Sequence, residues 1–473
     1  MKRNNVQIVE DGRPKHECGV CGILGHEDAS KLTYFGLYAQ QHRGQESAGI
    51  VASDAGKVSI HKAMGLVPEI FSEDILQGLP GSMAMGHVRY STTGASNIIN
   101  SQPLLITHRG CTLAVAHNGN LVNSLELRQD LENNGSIFQT SMDSEVVLHL
   151  LARTTHLGLD RALIESFSCL KGAYSLLLMT EDTLVAVRDP NGFRPLCLGK
   201  LSNGAWIVAS ETCALDLVEA EYVRDVEPGE VLIITQQGIR SIFPWPKQKT
   251  SFCIFEQVYF ARPDSDIFGI NVYESRKRMG EIMAREFQVD ADFVMPFPDS
   301  GNYAAIGFSR ASGIPLEMGM IRNHYVGRTF IQPTQSMRDF NVRVKLNPVR
   351  SLLKGKRVII VEDSIIRGTT GRSRVKALRE AGATEVHMVV SCPPTRHACY
   401  YGIDFPSSEQ LIASQYSVDG IAADLGLDSL HYLSIDGLVE ATGLSRDDFC
   451  LACFDGKYPV EPDKNFTKDS LEL

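Results

Sequence analysis

No run of lysines and arginines long enough to form a basic stripe occurs in this chain of 473 residues, and its formal net charge is −10. That excludes a general nucleic-acid surface, which needs clustered cations along a phosphate backbone. It leaves room for a small anionic ligand held in a local nest of N–H groups. No apolar stretch approaches the ~20 residues of a membrane-spanning helix. The opening "MKRNNVQIVEDGRPKHE" has no apolar middle of the kind a secretory signal needs, and it contains Glu10, Asp11 and Glu17, unlike an acid-poor transit peptide. A cytoplasmic protein is therefore expected, with neither membrane nor nucleic acid as partner. Internal repeats and low-complexity segments are absent as well.

What is present is an ordinary globular composition, 43% hydrophobic and 22% charged, with 20 prolines spread along the chain. The length exceeds what one core organises at ~100 to 200 residues per domain, and two domains are expected. Eleven cysteines are more than packing asks for. In a reducing compartment disulfides explain them poorly, which leaves nucleophile, metal ligand and plain burial.

Up to about residue 240, short apolar runs broken by glycine, such as "GVCGILGH", "SAGIVASD", "MAMGHVRYSTTG" and "TLAVAHNGNL", predict antiparallel sheets. Two stretches of helical periodicity interrupt them, "NSLELRQDLENNG" and "DSEVVLHLLARTTHLGLDRALIESF". Together they predict a layered α+β domain. The polar, proline-containing "FPWPKQKT" at 243–250 reads as a link. Beyond it, "KGKRVIIVEDSIIRGTTG", "RSRVKALREAG" and "EVHMVVSCPP" give strand, loop, helix, strand, the unit of a parallel sheet whose ligands sit at the carboxyl ends of its strands.

The most specific motif is "VIIVEDSIIRGTTG", Val358 to Gly371. A buried strand delivers Glu362 and Asp363 at its end, and Arg367, Gly368, Thr369, Thr370 and Gly371 then open a helix. N–H groups and threonine hydroxyls at a helix start suit a phosphate monoester, and two adjacent carboxylates suit hydroxyls or a magnesium ion beside it. The order does not match the ATP-type phosphate loop. Near the other end, "HECGVCGILG" places Cys18 close to the start of the chain. A thiol nucleophile needs a base, and a chain cut between Glu17 and Cys18 would supply its own α-amino group, with a pKa of ~8. Cys21, three residues on, belongs on the opposite face of the strand and is expected in the core. "CLAC" sets Cys450 and Cys453 at C-x-x-C spacing; with Cys253 and Cys399 they would make four thiolates, which suit zinc or an iron–sulfur cluster equally. Cys111, Cys169, Cys197, Cys213 and Cys392 are expected as buried small hydrophobes.

These motifs carry a resemblance. "VIIVEDSIIRGTTG" resembles the type I phosphoribosyltransferase signature, and in detail that of the amidophosphoribosyltransferase family. "NHYVGRTFIQPTQSMRDFNVRVKLNPV", Asn323 to Val349, is similar to that family's flexible loop. "QQHRGQESAGI", "GHVRYSTTG", "AHNGNL" and "TSMDSE" look like the successive motifs of the N-terminal-nucleophile glutamine amidotransferases. The contexts of the four cysteines resemble the family's iron–sulfur subgroup.

The resemblance implies a propeptide at 1–17, an αββα glutaminase domain at 18–240, and an α/β phosphoribosyltransferase domain with a parallel sheet and a cysteine-containing tail at 251–473. It implies Cys18 as nucleophile, Asn118 and the Gly119 N–H as oxyanion hole, Arg89 and Asp143 on the glutamine carboxylate and amino group, and Arg43, Gly44 and Thr92 lining the pocket. Ser300, Glu362 and Asp363 are the implied contacts of one Mg2+ per subunit, and Arg328 and Lys345 the cations that steady pyrophosphate. Cys253, Cys399, Cys450 and Cys453 would hold one 4Fe-4S cluster per subunit, structural or oxygen-sensing. The substrates implied are L-glutamine and 5-phosphoribosyl 1-diphosphate, with purine nucleotides as inhibitors and a homotetramer or homodimer as the assembly. Two rivals stand beside this. Another glutamine-dependent synthase would share the first half but have no use for "VEDSIIRGTTG". A non-catalytic regulator that binds the diphosphate would need neither Cys18 nor a cleavable leader.

Overall fold

The computed structural model describes residues 18–90, 96–323, 346–405 and 408–462. Two antiparallel sheets dominate the first part, as the glycine-broken apolar runs predict. One has seven strands in the order Glu221–Asp225, Cys197–Lys200, Trp206–Ala209, Gly19–Leu24, Met83–Arg89, Ser47–Asp54 and Lys57–Met64. The other has six, in the order Gly238–Ile242, Val231–Thr235, Leu184–Arg188, Gly172–Met179, Cys111–Leu121 and Leu104–His108.

Strand alternation assigns their faces. In Gly19–Leu24, Val20 and Leu24 meet Met85, Ala116, Leu177 and Leu184 in a core between the two sheets. Cys21 and Ile23 point the other way, toward Leu37 of the helix Ala29–Ala39. Cys21 is fully buried there, so close to that helix that a Cβ at Gly36 would lie 2.4 Å from its Sγ. The outer face of the second sheet is covered by Val147, Leu148 and Leu151 of Glu145–Thr154 and by Leu163 and Phe167 of Leu159–Ser168. The layering is thus αββα. The long helical stretch after Asp143 is two helices rather than one, divided at Gly158, whose φ is 82°.

Residues 243–250 carry no regular element. Beyond them lies a parallel sheet in the order Phe293–Pro296, Arg357–Glu362, Glu385–Val390 and Ser429–Tyr432. Val358, Ile359, Ile360 and Val361 are fully buried on both faces of an inner strand, each contributing roughly 1.5–3 kcal/mol by removal from water. The helix Thr369–Glu380 follows directly. Two further helices, Val272–Glu286 and Asn302–Ser312, approach until their backbones touch. A Cβ at Gly280 would sit 1.9 Å from the Ala304 carbonyl oxygen, and one at Gly307 would sit 1.9 Å from that of Lys277.

The tail returns to the linker: Phe252–Cys253 pairs in parallel with Phe449–Cys450. Cys197, Cys213 and Cys392 are buried as expected. Cys111 and Cys169 are not; both are exposed, because Cys111 opens a strand beside the turn at Arg109–Gly110 and Cys169 caps the C-terminus of Leu159–Ser168. Neither position has a facing layer to cover it.

The Gly280–Gly307 crossing admits no added methyl. Gly280→Ala should lower unfolding free energy by about 1–3 kcal/mol, the usual cost of overpacking, as read by urea denaturation of the full chain.

Candidate functional site

Cys18 stands one residue before the central strand of the seven-stranded sheet and is buried. Its Sγ–H donates to the Tyr90 carbonyl at 3.4 Å. Burial pushes the thiol up to about 11, only partly offset by the Tyr90 main chain and the nearby Arg89 charge. At neutral pH it is therefore protonated, and reaction as a thiolate requires a base to take its proton. Cys21 is pushed still higher, to about 12, by burial alone.

Asn118 and Gly119 lie on Cys111–Leu121, in the facing sheet. Asn118 is fully buried, and neither its side-chain nitrogen nor its oxygen has a hydrogen-bond partner. Leaving a buried amide unpaired costs about 1–3 kcal/mol, so such a group is a candidate for pairing with a ligand. Gly119 has φ 146°, and a Cβ there would lie 2.1 Å from the Ala173 carbonyl oxygen; no other residue fits this kink in the strand.

Arg89 ends its strand fully buried, with Nη2 3.4 Å from Met142 Sδ and Nη1 3.9 Å from Glu46 Oε2. Asp143 is buried as well. Burial alone would raise its carboxyl, but the His117 ring, the Leu121 N–H at 2.9 Å and the Ser144 hydroxyl at 3.1 Å hold it below the usual carboxylate range. The charges of Arg89 and Asp143 both reach the Cys18 thiol. One buried cation and one buried anion beside a thiol match the carboxylate and ammonium ends of an amino acid. Gly44 packs against the backbone of Val88 and Arg89. Arg43 reaches Cys18 through its backbone: Arg43 Nε–H donates to the Cys18 carbonyl at 3.0 Å, while the guanidinium nitrogens bind Glu211 and Glu256. Thr92 lies outside the described residues.

Sequence reasoning passed over three neighbours: Tyr90, His117 and His87. His87 Nε2–H donates to the His117 carbonyl at 3.0 Å, and burial lowers its ring to about 3, so it stays neutral. All three stand inside quoted motifs, His87 and Tyr90 in "GHVRY" and His117 in "AHNGN", but nothing in their spacing says which way their rings point.

The second site gathers at the carboxyl end of Arg357–Glu362. Glu362, Asp363, Ser364, Gly368, Thr370, Gly371 and Arg374 line one small cavity. Arg374 Nη1 donates to Glu362 at 2.8 Å, and the Ser364 hydroxyl donates to Asp363 at 2.7 Å. Gly368 is the N-cap of Thr369–Glu380, with φ 75°, so the first N–H groups of a twelve-residue helix open on this cavity. Arg367 reaches Gln410 at 3.5 Å. Ser300 Oγ, after the neighbouring strand, is sealed from solvent without a hydrogen-bond partner. Arg328 and Lys345 lie outside the described residues.

As to metals, an unpartnered hydroxyl at Ser300 and two carboxylates at one strand end suit Mg2+, which takes one or two carboxylates and leaves its other positions to water and substrate phosphate. Cys253 and Cys450 face each other in register across the short parallel pair. Cys453 is pushed well above the ordinary thiol range by burial and then by the sulfurs of Cys450, Cys253, Cys399 and Cys392. Cys399 Sγ accepts the Tyr401 N–H at 3.3 Å. Buried thiols that raise one another's pKa are what a metal centre reverses by supplying positive charge. They remain neighbours rather than a closed ligand set: among the described residues no three His, Cys, Asp or Glu side chains are drawn tightly enough to hold an ion. No helix among those residues is long and apolar enough to cross a membrane.

Comparison with known proteins assigns a family to each half of the chain. Residues 87–217 match the glutamine amidotransferase domain family and residues 292–429 the phosphoribosyl transferase domain family. The chain is 52% identical to amidophosphoribosyltransferase of Bacillus subtilis over 94% of each sequence, and 53% identical to the chloroplastic amidophosphoribosyltransferase of Glycine max over 96% of this chain and 80% of that one. A solved structure described as the allosteric regulatory enzyme of purine biosynthesis superposes with a TM-score of 0.91 at 52% identity, covering 95% of this chain and 97% of that one. Glutamine phosphoribosylpyrophosphate amidotransferase from B. subtilis, complexed with ADP and GMP, gives 0.90 at 51%, covering 95% and 99%.

The Asn118 amide has no protein partner to lose. Asn118→Ala should leave the thermal midpoint unchanged or raised, while kcat with glutamine falls about 10²–10³-fold and the rate with added ammonia is retained. Differential scanning fluorimetry and the paired assays read the two effects separately.

Proposed function

The chain belongs to the amidophosphoribosyltransferase family, and from that premise we propose which residues perform each part of the reaction. It releases ammonia from the side-chain amide of glutamine and uses it to displace pyrophosphate from 5-phosphoribosyl 1-diphosphate, giving 5-phosphoribosylamine, the first committed step of purine synthesis. Both rivals lose by this: a different synthase by the phosphoribosyl transferase match, a non-catalytic regulator by the full-length similarity to enzymes.

Residues 1–17 are a propeptide in this proposal, and 18–240 and 251–473 are the two functional halves. Removal of the propeptide makes Cys18 the first residue, and its α-amino group, with a pKa of ~8, takes the thiol proton. This answers the difficulty set by burial, since a thiol near 11 is inert without a base beside it. Cys18 attacks the amide carbon, and the Asn118 amide and the Gly119 N–H receive the oxyanion. Ammonia leaves, and water hydrolyses the thioester to glutamate and free thiol. Arg89 and Asp143 hold the two ends of glutamine, and Arg43, Gly44 and Thr92 complete the pocket. The observation that carries this assignment is the buried, doubly unpaired Asn118 side chain next to a glycine no other residue replaces.

In the second half, Arg367, Gly368, Thr369, Thr370 and Gly371 hold the 5-phosphate at the helix start, and Arg328 and Lys345 neutralise departing pyrophosphate. Ser300, Glu362 and Asp363 would hold Mg2+, which when bound lends charge to the diphosphate. Ammonia is protonated in water, so its transfer requires a channel closed from solvent. Cys253, Cys399, Cys450 and Cys453 would hold a 4Fe-4S cluster; the sulfurs of the other three act on the buried Cys453 thiol, and the choice of a cluster over zinc rests on the resemblance of their contexts to the family's iron–sulfur subgroup. The cluster's role is structural or oxygen-sensing. Purine nucleotides as inhibitors, a homotetramer or homodimer and a cytoplasmic location complete the proposal.

Active protein should begin at Cys18 by intact-mass measurement, and Cys18→Ser in the processed chain should abolish glutamine-dependent pyrophosphate release while ammonia-dependent release persists. Equal loss of both activities, or full activity with residues 1–17 attached, would refute the assignment of the nucleophile. Anaerobically purified protein should contain iron and acid-labile sulfide at about four each per chain. Stoichiometric zinc in their place would overturn the cluster.

A further inference from the structure

Cys18 is held from behind by a residue whose own partners come from both halves of the chain. The Arg43 Nε–H donates to the Cys18 carbonyl at 3.0 Å. Its two terminal nitrogens are clamped by carboxylates: Nη1 by Glu211 Oε1 at 2.5 Å and Glu256 Oε2 at 3.0 Å, Nη2 by Glu256 Oε1 at 2.7 Å. All three side chains are fully buried. Glu256 lies 213 residues downstream of Arg43, beyond the 243–250 link. It opens a five-residue π-helix, Glu256–Phe260, a rare turn that recurs at functional sites.

That turn is pinned from the phosphoribosyltransferase side. Arg276 Nε donates to the Gln257 carbonyl at 2.9 Å and Nη2 to the Ala261 carbonyl at 2.8 Å, so one side chain grips both ends of the turn. Arg276 belongs to the helix Val272–Glu286; burial lowers its guanidinium, and the charge of Asp363 in the phosphate loop opposes that. On the other flank, Arg194 Nη1 lies 3.6 Å from Glu256 Oε1 and its Nε donates to the Tyr401 carbonyl at 3.0 Å. Gly402, next along, packs so closely on Gly119 that an added Cβ would come within 3.0 Å of it. A clamp that only joined the two halves would need the Arg43–Glu256 pair and nothing more. Here the same guanidinium also fixes the main chain of the nucleophile.

We propose that Glu256, supplied by the phosphoribosyltransferase half, is a positioning residue of the glutaminase site: it orients Arg43, and Arg43 orients Cys18. The inference rests on Cys18 being the nucleophile. By it, the acceptor half governs how well the thiol is aimed, with the π-turn between Arg43 and Arg276 as the connecting element. Misplacing a nucleophile by about 1 Å costs on the order of a hundredfold in rate.

The test uses the processed full-length chain. Glu256→Gln keeps the shape and one acceptor oxygen but removes the charge that fixes Arg43. The expected result is a kcat for glutamine hydrolysis lower by roughly tenfold to a hundredfold, with the glutamine KM and the ammonia-dependent rate of pyrophosphate release changed by less than about twofold. Glu256→Asp, which restores the charge, should recover part of the loss; if Glu256→Gln fails to fold, Glu256→Asp must show the same split in milder form. Equal loss of the glutamine and ammonia activities would mean that the pair only joins the halves, and wild-type glutamine hydrolysis would mean that it does nothing for Cys18. Either overturns the proposal. Cys18→Ser, run in parallel, separates the two failures, because glutamine hydrolysis by that variant would remove the nucleophile reading itself.

Discussion

The buried guanidinium of Arg43 between Glu211 and Glu256 is the constraint around which the two halves are arranged. Removing one partner of a buried, hydrogen-bonded charge pair costs about 3–5 kcal/mol, because the remaining charge is stranded in low dielectric. The structure spares no effort to satisfy the second carboxylate. Glu211 also receives the Ser265 hydroxyl, the Arg262 N–H and the His42 ring, at 2.8, 2.9 and 2.7 Å. Burial would raise its carboxyl, yet His42 and Arg43 hold it far below the usual range. Since Arg262 and Ser265 lie beyond the link, Glu211 is itself an interdomain contact. Electrostatics of this kind specifies one relative placement of the halves, where an apolar seam would tolerate sliding.

That fixed placement matters because the product of one half is the reagent of the other. The seam carries the tail as well. Phe193 stacks on Tyr401 with ring centroids 4.4 Å apart, Cys253 N–H bonds to the Phe193 carbonyl at 3.0 Å, and the Asn120 amide donates to the Tyr400 carbonyl at 3.0 Å. Asn120 is the residue after Gly119, and Tyr400 the residue after Cys399. The cysteine-bearing tail thus lies directly against the strand that would hold the oxyanion.

The fold was legible in the sequence because it rests on short-range patterns. Period-two apolar runs gave the antiparallel sheets, and the four-residue run Val358–Val361 gave the inner parallel strand. Legibility failed where a side chain's surroundings depend on distant chain. Cys111 and Cys169 look like the buried cysteines in composition, yet the strand start and helix end that carry them have no facing layer. Glu256 stands within "CIFEQVYFARPDS", which draws attention for Cys253, and nothing local announces that its carboxylate belongs to Arg43. The candidate glutamine site is intermediate: its residue types and their order are visible as motifs, whereas the burial that keeps the Cys18 thiol protonated is visible only in three dimensions.

The unpaired polar atoms carry the remaining step. Thr33 and Ser275 also have buried hydroxyls without partners, and each sits on a helix packed into a core, where one orphan costs little more than its own desolvation. Asn118 differs in leaving both ends of an amide unpaired, on a strand that is distorted at the next residue and whose Leu121 N–H binds the buried Asp143. Ser300 differs in following a strand that pairs in parallel with the one ending at Glu362. An orphan that stands alone reports imperfect packing. Orphans on elements that also carry oriented charges report a ligand, since only the ligand's own polar atoms repay the desolvation that folding imposed.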